Sequence, residues 1–143
     1  MSVAKNIKAV MLACALALLT DVASADFVVV VSAKSPVGNL SAEQVFDIFL
    51  GKTSNFPGGG PTLPVDQLEG SALRDEFYAK VASKSPAQLK AYWSKIVFTG
   101  KGQPPKEVAD SSAVKKLIAE NPNAIGYIDK SAVDSGVKAV FPR

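Results

Sequence analysis

Residues 63–78 read LPVDQLEGSALRDEFY, and a change of hydrophobic period within them decides the fold. A short apolar run with β-branched character, Leu63 and Val65, predicts a strand reaching Asp66 and Gln67. Leu68-Glu69-Gly70 then forms a three-residue connection, and Leu73, Phe77 and Val81 follow at i, i+4 and i+8, the stripe of a core-facing helix. Ser71 is placed to cap that helix, and Gly70 lets backbone approach closely whatever lies in front of it. Strand, glycine turn and helix start together present free amide hydrogens at the positive end of a helix dipole. That is the layout of an anion site, and equally of an ordinary well-capped helix.

Outward from this stretch the chain alternates in the same way. Phe27–Ser32 (FVVVVS) is a continuous apolar run, predicted as a strand buried on both faces. Ser41 with Gln44 makes a capping box, Leu40 and Val45 a hydrophobic staple, and Gly51 a C-terminal stop for a helix burying Val45, Phe46, Phe49 and Leu50. Asn55–Pro61 (NFPGGGP) is a turn-rich loop. Ser85-Pro86-Ala87-Gln88 is a second capping box, starting a helix with Leu89, Trp93 and Ile96 on one side and Tyr92 beside them. Core packing is the favoured reading of that aromatic pair, ahead of a ligand-stacking platform. Phe98–Pro105 (FTGKGQPP) reads as a polar loop. Asp110 opens a helix with Val114, Leu117 and Ile118 as its apolar side, and Asn121-Pro122-Asn123 stops it. Ala124–Ile128 and Val137–Phe141 read as strands. The expectation is an α/β domain with a mainly parallel or mixed sheet flanked by helices.

At the N-terminus, Lys5 and Lys8 precede the apolar run 9–19, and Ala23-Ser24-Ala25 has a small-x-small cleavage pattern. Residues 1–25 are therefore expected to be a secretory signal peptide, leaving residues 26–143 as one domain. Of 16 basic and 13 acidic residues, Lys5, Lys8 and Asp21 lie in the leader, leaving 14 and 12. That balance, without a lysine or arginine block, gives no support to nucleic-acid binding. The single cysteine, Cys14, also falls in the leader, where a lipid-anchor reading is weak because apolar residues continue past it. The exported domain then has neither cysteine nor histidine. Disulfides, thiol chemistry, histidine-based triads and the commonest zinc ligands are excluded together.

Gly51-Lys52-Thr53 resembles the tail of a nucleotide-binding P-loop. However, Phe46 occupies the position of the required glycine and the tripeptide follows a helix instead of preceding one, so that reading fails. Asp66, Glu69 and Asp75 are the acids available for proton transfer, but no activated nucleophile or metal-spaced carboxylate set accompanies them. No enzyme, catalytic residue, metal or cofactor is expected.

Three segments in order, LSAEQVFDIFLGK (40–52), VDQLEGSALRDEFY (65–78) and NPNAIGYID (121–129), resemble the phosphate-type periplasmic substrate-binding proteins of ABC transporters, class II of that superfamily. FTGKGQPP (98–105) is similar to a short, phosphate-binding-protein-like subfamily. The resemblance implies a single lobe of a class II periplasmic-binding-protein-like fold, because full-length relatives have two lobes. It further implies a small oxyanion such as phosphate as ligand, a membrane permease or sensor as partner, and a periplasmic location. In the phosphate binders an arginine, two residues, then glycine-serine-glycine-threonine wrap the oxyanion. Here Gly70 and Ser71 match, while Gln67 stands at the arginine, Ala72 at the second glycine and Leu73 at the threonine. Arg74 is a partial substitute for the missing arginine, and Thr99 and Lys101 in the polar loop are secondary ligand candidates. The departures leave a second reading open, a ligand-free interaction module, and a homodimer that rebuilds a cleft from two chains is a third element of the expectation.

Overall fold

A computed structural model describes residues 26–142 of the chain; the predicted leader and Cys14 lie outside the described residues. Five strands form one sheet: β1 (Phe27–Ser32), β2 (Leu63–Gln67), β3 (Lys106–Val108), β4 (Ala124–Asp129) and β5 (Val137–Phe141). Four helices flank it: α1 (Ala42–Phe49), α2 (Ala72–Ala82), α3 (Pro86–Phe98) and α4 (Ser111–Glu120), with a short 3-10 turn at Lys130–Ala132.

The sheet order is β3-β2-β4-β1-β5. β2 runs parallel to both β3 and β4, whereas β1 is antiparallel to β4 and β5. The sheet is therefore mixed. Every residue of β1 is buried, as its apolar run predicts, but its neighbours are antiparallel. Helices on both faces, rather than strand direction, account for the burial. Alternation divides the strand: Phe27, Val29 and Val31 join the residues of α1, α2 and α3 on one side. Val28 and Val30 pack with Val114 and Ile118 of α4 on the other.

The helix starts are local and fall where the sequence places them. Ser41 Oγ accepts from the Gln44 amide at 3.1 Å while Gln44 Oε1 accepts from Ser41 N at 2.9 Å. Ser85 and Gln88 repeat the pattern at 3.2 and 2.9 Å, and Asp110 caps α4. Gly51 follows the C-cap of α1 with φ +72°, against the Trp93 ring. The Tyr92 hydroxyl donates to the Leu50 carbonyl at 2.6 Å, so this aromatic pair closes the core as expected. Two boundaries differ from the sequence reading. α3 runs on through Phe98, the first residue of the predicted loop, and Lys106–Val108 is a strand where none is expected. Three residues are too few to show a period, and β3 exists because β2 offers it a main-chain edge.

α4 packs closely on β4 because Gly126 has no side chain. A Cβ there would lie 2.5 Å from Val114 Cγ1 and 3.4 Å from the Val65 carbonyl oxygen. Val114 is fully buried and stiff at χ1. Gly126→Ala is expected to cost about 1–3 kcal/mol by overpacking, read as a lower urea midpoint at unchanged slope. A neutral result would mean that α4 slides outward without loss.

Candidate functional site at the β2–α2 turn

The chain leaves β2 at Gln67, turns through Leu68–Gly70 and enters α2 with Ser71 as N-cap. Gly70 has φ +94°, and nothing lies within 4 Å of where its Cβ would be, so the bend faces open space. Ser71 Oγ accepts from the Arg74 amide at 3.2 Å, and the Ser71 carbonyl takes the Asp75 amide at 3.1 Å. The amides of Ala72 and Leu73 find no acceptor among the described residues. They are the orphan donors that any α-helix leaves at its start.

Gln67, at the arginine position, does not face that opening. Its side chain is buried, and the amide nitrogen donates to the Tyr127 carbonyl at 3.1 Å and to Ser111 Oγ at 3.4 Å. Ser71 Oγ lies 3.5 Å from Gln67 Oε1, at the outer limit of a hydrogen bond. Arg74 folds back over the turn. Its Nη1 donates to the Gln67 carbonyl at 2.8 Å and to Glu107 Oε1 at 2.5 Å, and lies 3.6 Å from Asp66 Oδ2. Burial alone would depress the guanidinium, but the neighbouring Asp66 and Glu107 carboxylates hold its pKa above the usual value.

Beneath the turn lies a network that centres on Asp66, which is 2% exposed. Its Oδ1 accepts from the Tyr127 hydroxyl and, at 2.9 Å, from the Gln67 amide; its Oδ2 accepts from the Tyr78 hydroxyl at 2.5 Å. Burial pushes the Asp66 carboxyl above its ordinary range, although both phenols, Arg74 and the Gln67 amide pull the other way. Burial and the Asp66 charge also push the Tyr78 and Tyr127 phenols up. Neither ionises near neutral pH, so both act here as donors. The buried acid, two phenols and guanidinium are mutually satisfied, which makes them a scaffold that fixes the turn.

The remaining candidates are not brought to this turn. The Thr99 hydroxyl donates to the carbonyls of Lys95 and Ile96 at 2.9 and 3.1 Å, closing the end of α3. Lys101 lines a separate cavity of about 210 Å³ with Thr53, Thr62 and Gln103. Three residues that organise the site carried no signal as site residues in the sequence: Tyr78, Tyr127 and Glu107. Tyr78 lies beside the predicted stripe of Leu73, Phe77 and Val81, Tyr127 is one residue of an apolar strand, and Glu107 sits on the unforeseen β3.

Beside the turn, α2, α3 and the segment before β3 enclose a groove of about 520 Å³. Leu89, Trp93, Val97, Phe98, Pro104 and Pro105 give it largely apolar walls, and Arg74 and Glu69 stand at one end. Its size suits a ligand much larger than a single oxyanion.

No protein-family model matches the chain. Among solved structures it is similar to a protein from Clostridium perfringens assigned as a phosphate ABC transporter substrate-binding protein, with bound phosphate. The identity is 30%, the TM-score 0.65, and the match covers 80% of this chain and 43% of that one. An ABC-type phosphate transport receptor from Vibrio cholerae matches at 24% identity and TM-score 0.63, over 80% of this chain and 44% of that one. PstS from Borrelia burgdorferi shares the fold at 15% identity and TM-score 0.57, over 82% and 49%. The chain thus spans less than half the length of these structures, and its mixed sheet with four flanking helices is the α/β fold they share.

Proposed function

We propose that this chain, which has the fold of the phosphate-type ABC transporter substrate-binding proteins, is an exported solute-binding module taking a small oxyanion such as phosphate at the first turn of α2. The observation that carries this reading is the pair of free amides at Ala72 and Leu73, beside a glycine bend open to solvent. The bound phosphate of the similar Clostridium perfringens protein supports it. With Gln67 turned inward and Arg74 held by Glu107, backbone amides and the helix dipole supply most of the attraction. Each such contribution is about 0.3–1 kcal/mol at an exposed helix end. The expected affinity is accordingly weaker than millimolar, because a millimolar Kd needs about 4 kcal/mol. It tightens where a second wall comes from another chain, and a membrane permease is the partner such a module would serve.

Titration with phosphate, followed by amide NMR shifts at Ala72 and Leu73, tests this. Ser71→Asp keeps a capping oxygen but places a negative charge at the site, so it should abolish binding while preserving stability. Ser71→Ala should instead cost about 1 kcal/mol of stability through loss of the cap. Unchanged phosphate shifts in Ser71→Asp would remove the turn from any anion site.

A second reading is favoured by one feature of the groove. Phe98 is 91% exposed at its rim, which suits contact with another protein better than contact with phosphate. In that case the lobe is a ligand-free interaction module, and a stable complex with a transporter or sensor component would form without added oxyanion.

A further inference from the structure

The groove carries its charges at opposite ends. Glu69 precedes α2 and Asp75 lies in its first turn, whereas Lys84 follows the end of α2 and Lys90 lies near the start of α3. α2 is 11 residues long, about 16 Å of helix, so the two ends are well separated. Glu69, Asp75, Lys84 and Lys90 form no ion pair among the described residues. Lys84 instead places its Nζ 5.4 Å from the Tyr92 ring centroid. At the other end Arg74 is already matched by Glu107 and Asp66, so the uncompensated charge there is negative. Between the ends run Leu89, Trp93 and Val97, and Phe98 projects from the last turn of α3.

We infer that this groove face is a two-fold interface with a second copy of the same chain. A two-fold interface is isologous and must be complementary to itself. An acidic end and a basic end flanking an apolar strip satisfy that requirement when the two grooves meet antiparallel. Glu69 and Asp75 of one copy then face Lys84 and Lys90 of the other. The same face holds both a projecting ring, Phe98, and an apolar hollow able to receive it. A single-sign partner surface would match one end of the groove and oppose the other. This assignment is independent of the oxyanion reading, because it draws on the side chains of the groove and not on the amides of the turn.

Sedimentation equilibrium of the purified protein tests the proposal. The expected result is a concentration-dependent dimer. Phe98→Asp should weaken it about 30-fold or more, the loss typical of an interfacial aromatic anchor. Because Phe98 lies outside the core, far-UV circular dichroism of this variant should match wild type. Lys90→Glu should also weaken the dimer, and adding Glu69→Lys to it should restore association. A monomer at millimolar concentration would overturn the proposal, whether the groove is empty or native mass spectrometry finds a small molecule in it. A dimer indifferent to both Phe98→Asp and Lys90→Glu would place the interface elsewhere and overturn it equally.

Discussion

Asp66→Ala is expected to destabilise the fold by about 3–5 kcal/mol, the cost seen when one member of a buried charged network is removed. Alanine would leave the hydroxyls of Tyr78 and Tyr127 without their acceptor, in a region where both tyrosines are almost fully buried. Each orphaned donor costs about 1–3 kcal/mol. The Gln67 amide keeps only its contact with the Tyr127 oxygen, at 3.1 Å. Urea unfolding measures this, and a loss below about 1 kcal/mol would show that water enters and replaces the carboxylate. Asp66→Asn keeps the volume and one acceptor, so it should fall between wild type and alanine.

The same pair of proteins gives a pH test with a definite sign. Burial raises the Asp66 pKa above its ordinary 3.8, so the folded chain holds this proton at pH values where the unfolded chain has released it. Stability from this group is highest below 3.8 and falls as pH rises through the raised folded value. Relative to Asp66→Asn, wild type should therefore gain stability on acidification from neutral pH into that window. A difference that is flat with pH would mean that Arg74 and the two phenols fully offset the burial.

Phe77→Ala should cost as much, about 3–5 kcal/mol and toward the upper end. Phe77 is fully buried and is the ring on which the other aromatics converge. It stacks on Tyr127 with centroids 4.1 Å apart and meets Phe49, Tyr78 and Phe27 at 4.8, 4.9 and 5.3 Å. Four rigid rings held by four different elements cannot collapse far into the space that alanine would leave. Phe77→Leu should lose much less, because most of the volume remains. Since Phe77 also positions Tyr127 over Asp66, the double variant Phe77→Ala/Asp66→Ala should fall short of the sum of the single losses. Strict additivity would mean that the aromatic cluster and the carboxylate network act independently.

The turn itself was legible in the sequence to the extent that its interactions are short-range. Ser71 bonds three residues ahead to Arg74, and Ser41 and Ser85 do the same with Gln44 and Gln88. Gly70 stands where the bend needs a positive φ. The direction of Gln67 was not legible in the sequence pattern. A glutamine at the ligand's arginine position reads as a weakened contact, yet the fold sends it inward to Ser111 and Tyr127. Thr99 and Lys101 shared a polar loop with no other cue, and each has its place away from the turn.

Local periodicity and capping chemistry, written in residues at most a few positions apart, determined the helix starts, the apolar faces and the doubly buried first strand. The antiparallel placement of β1, the existence of β3 and the joining of Asp66 to Tyr127 and of Arg74 to Glu107 came only with tertiary structure. Those contacts link residues 61 and 33 positions apart. A cap is chosen by the orphan amides of its own helix, whereas a long-range partner is chosen by which buried faces come together. Only then does burial make an unpaired acid, phenol or guanidinium costly enough to fix its partner.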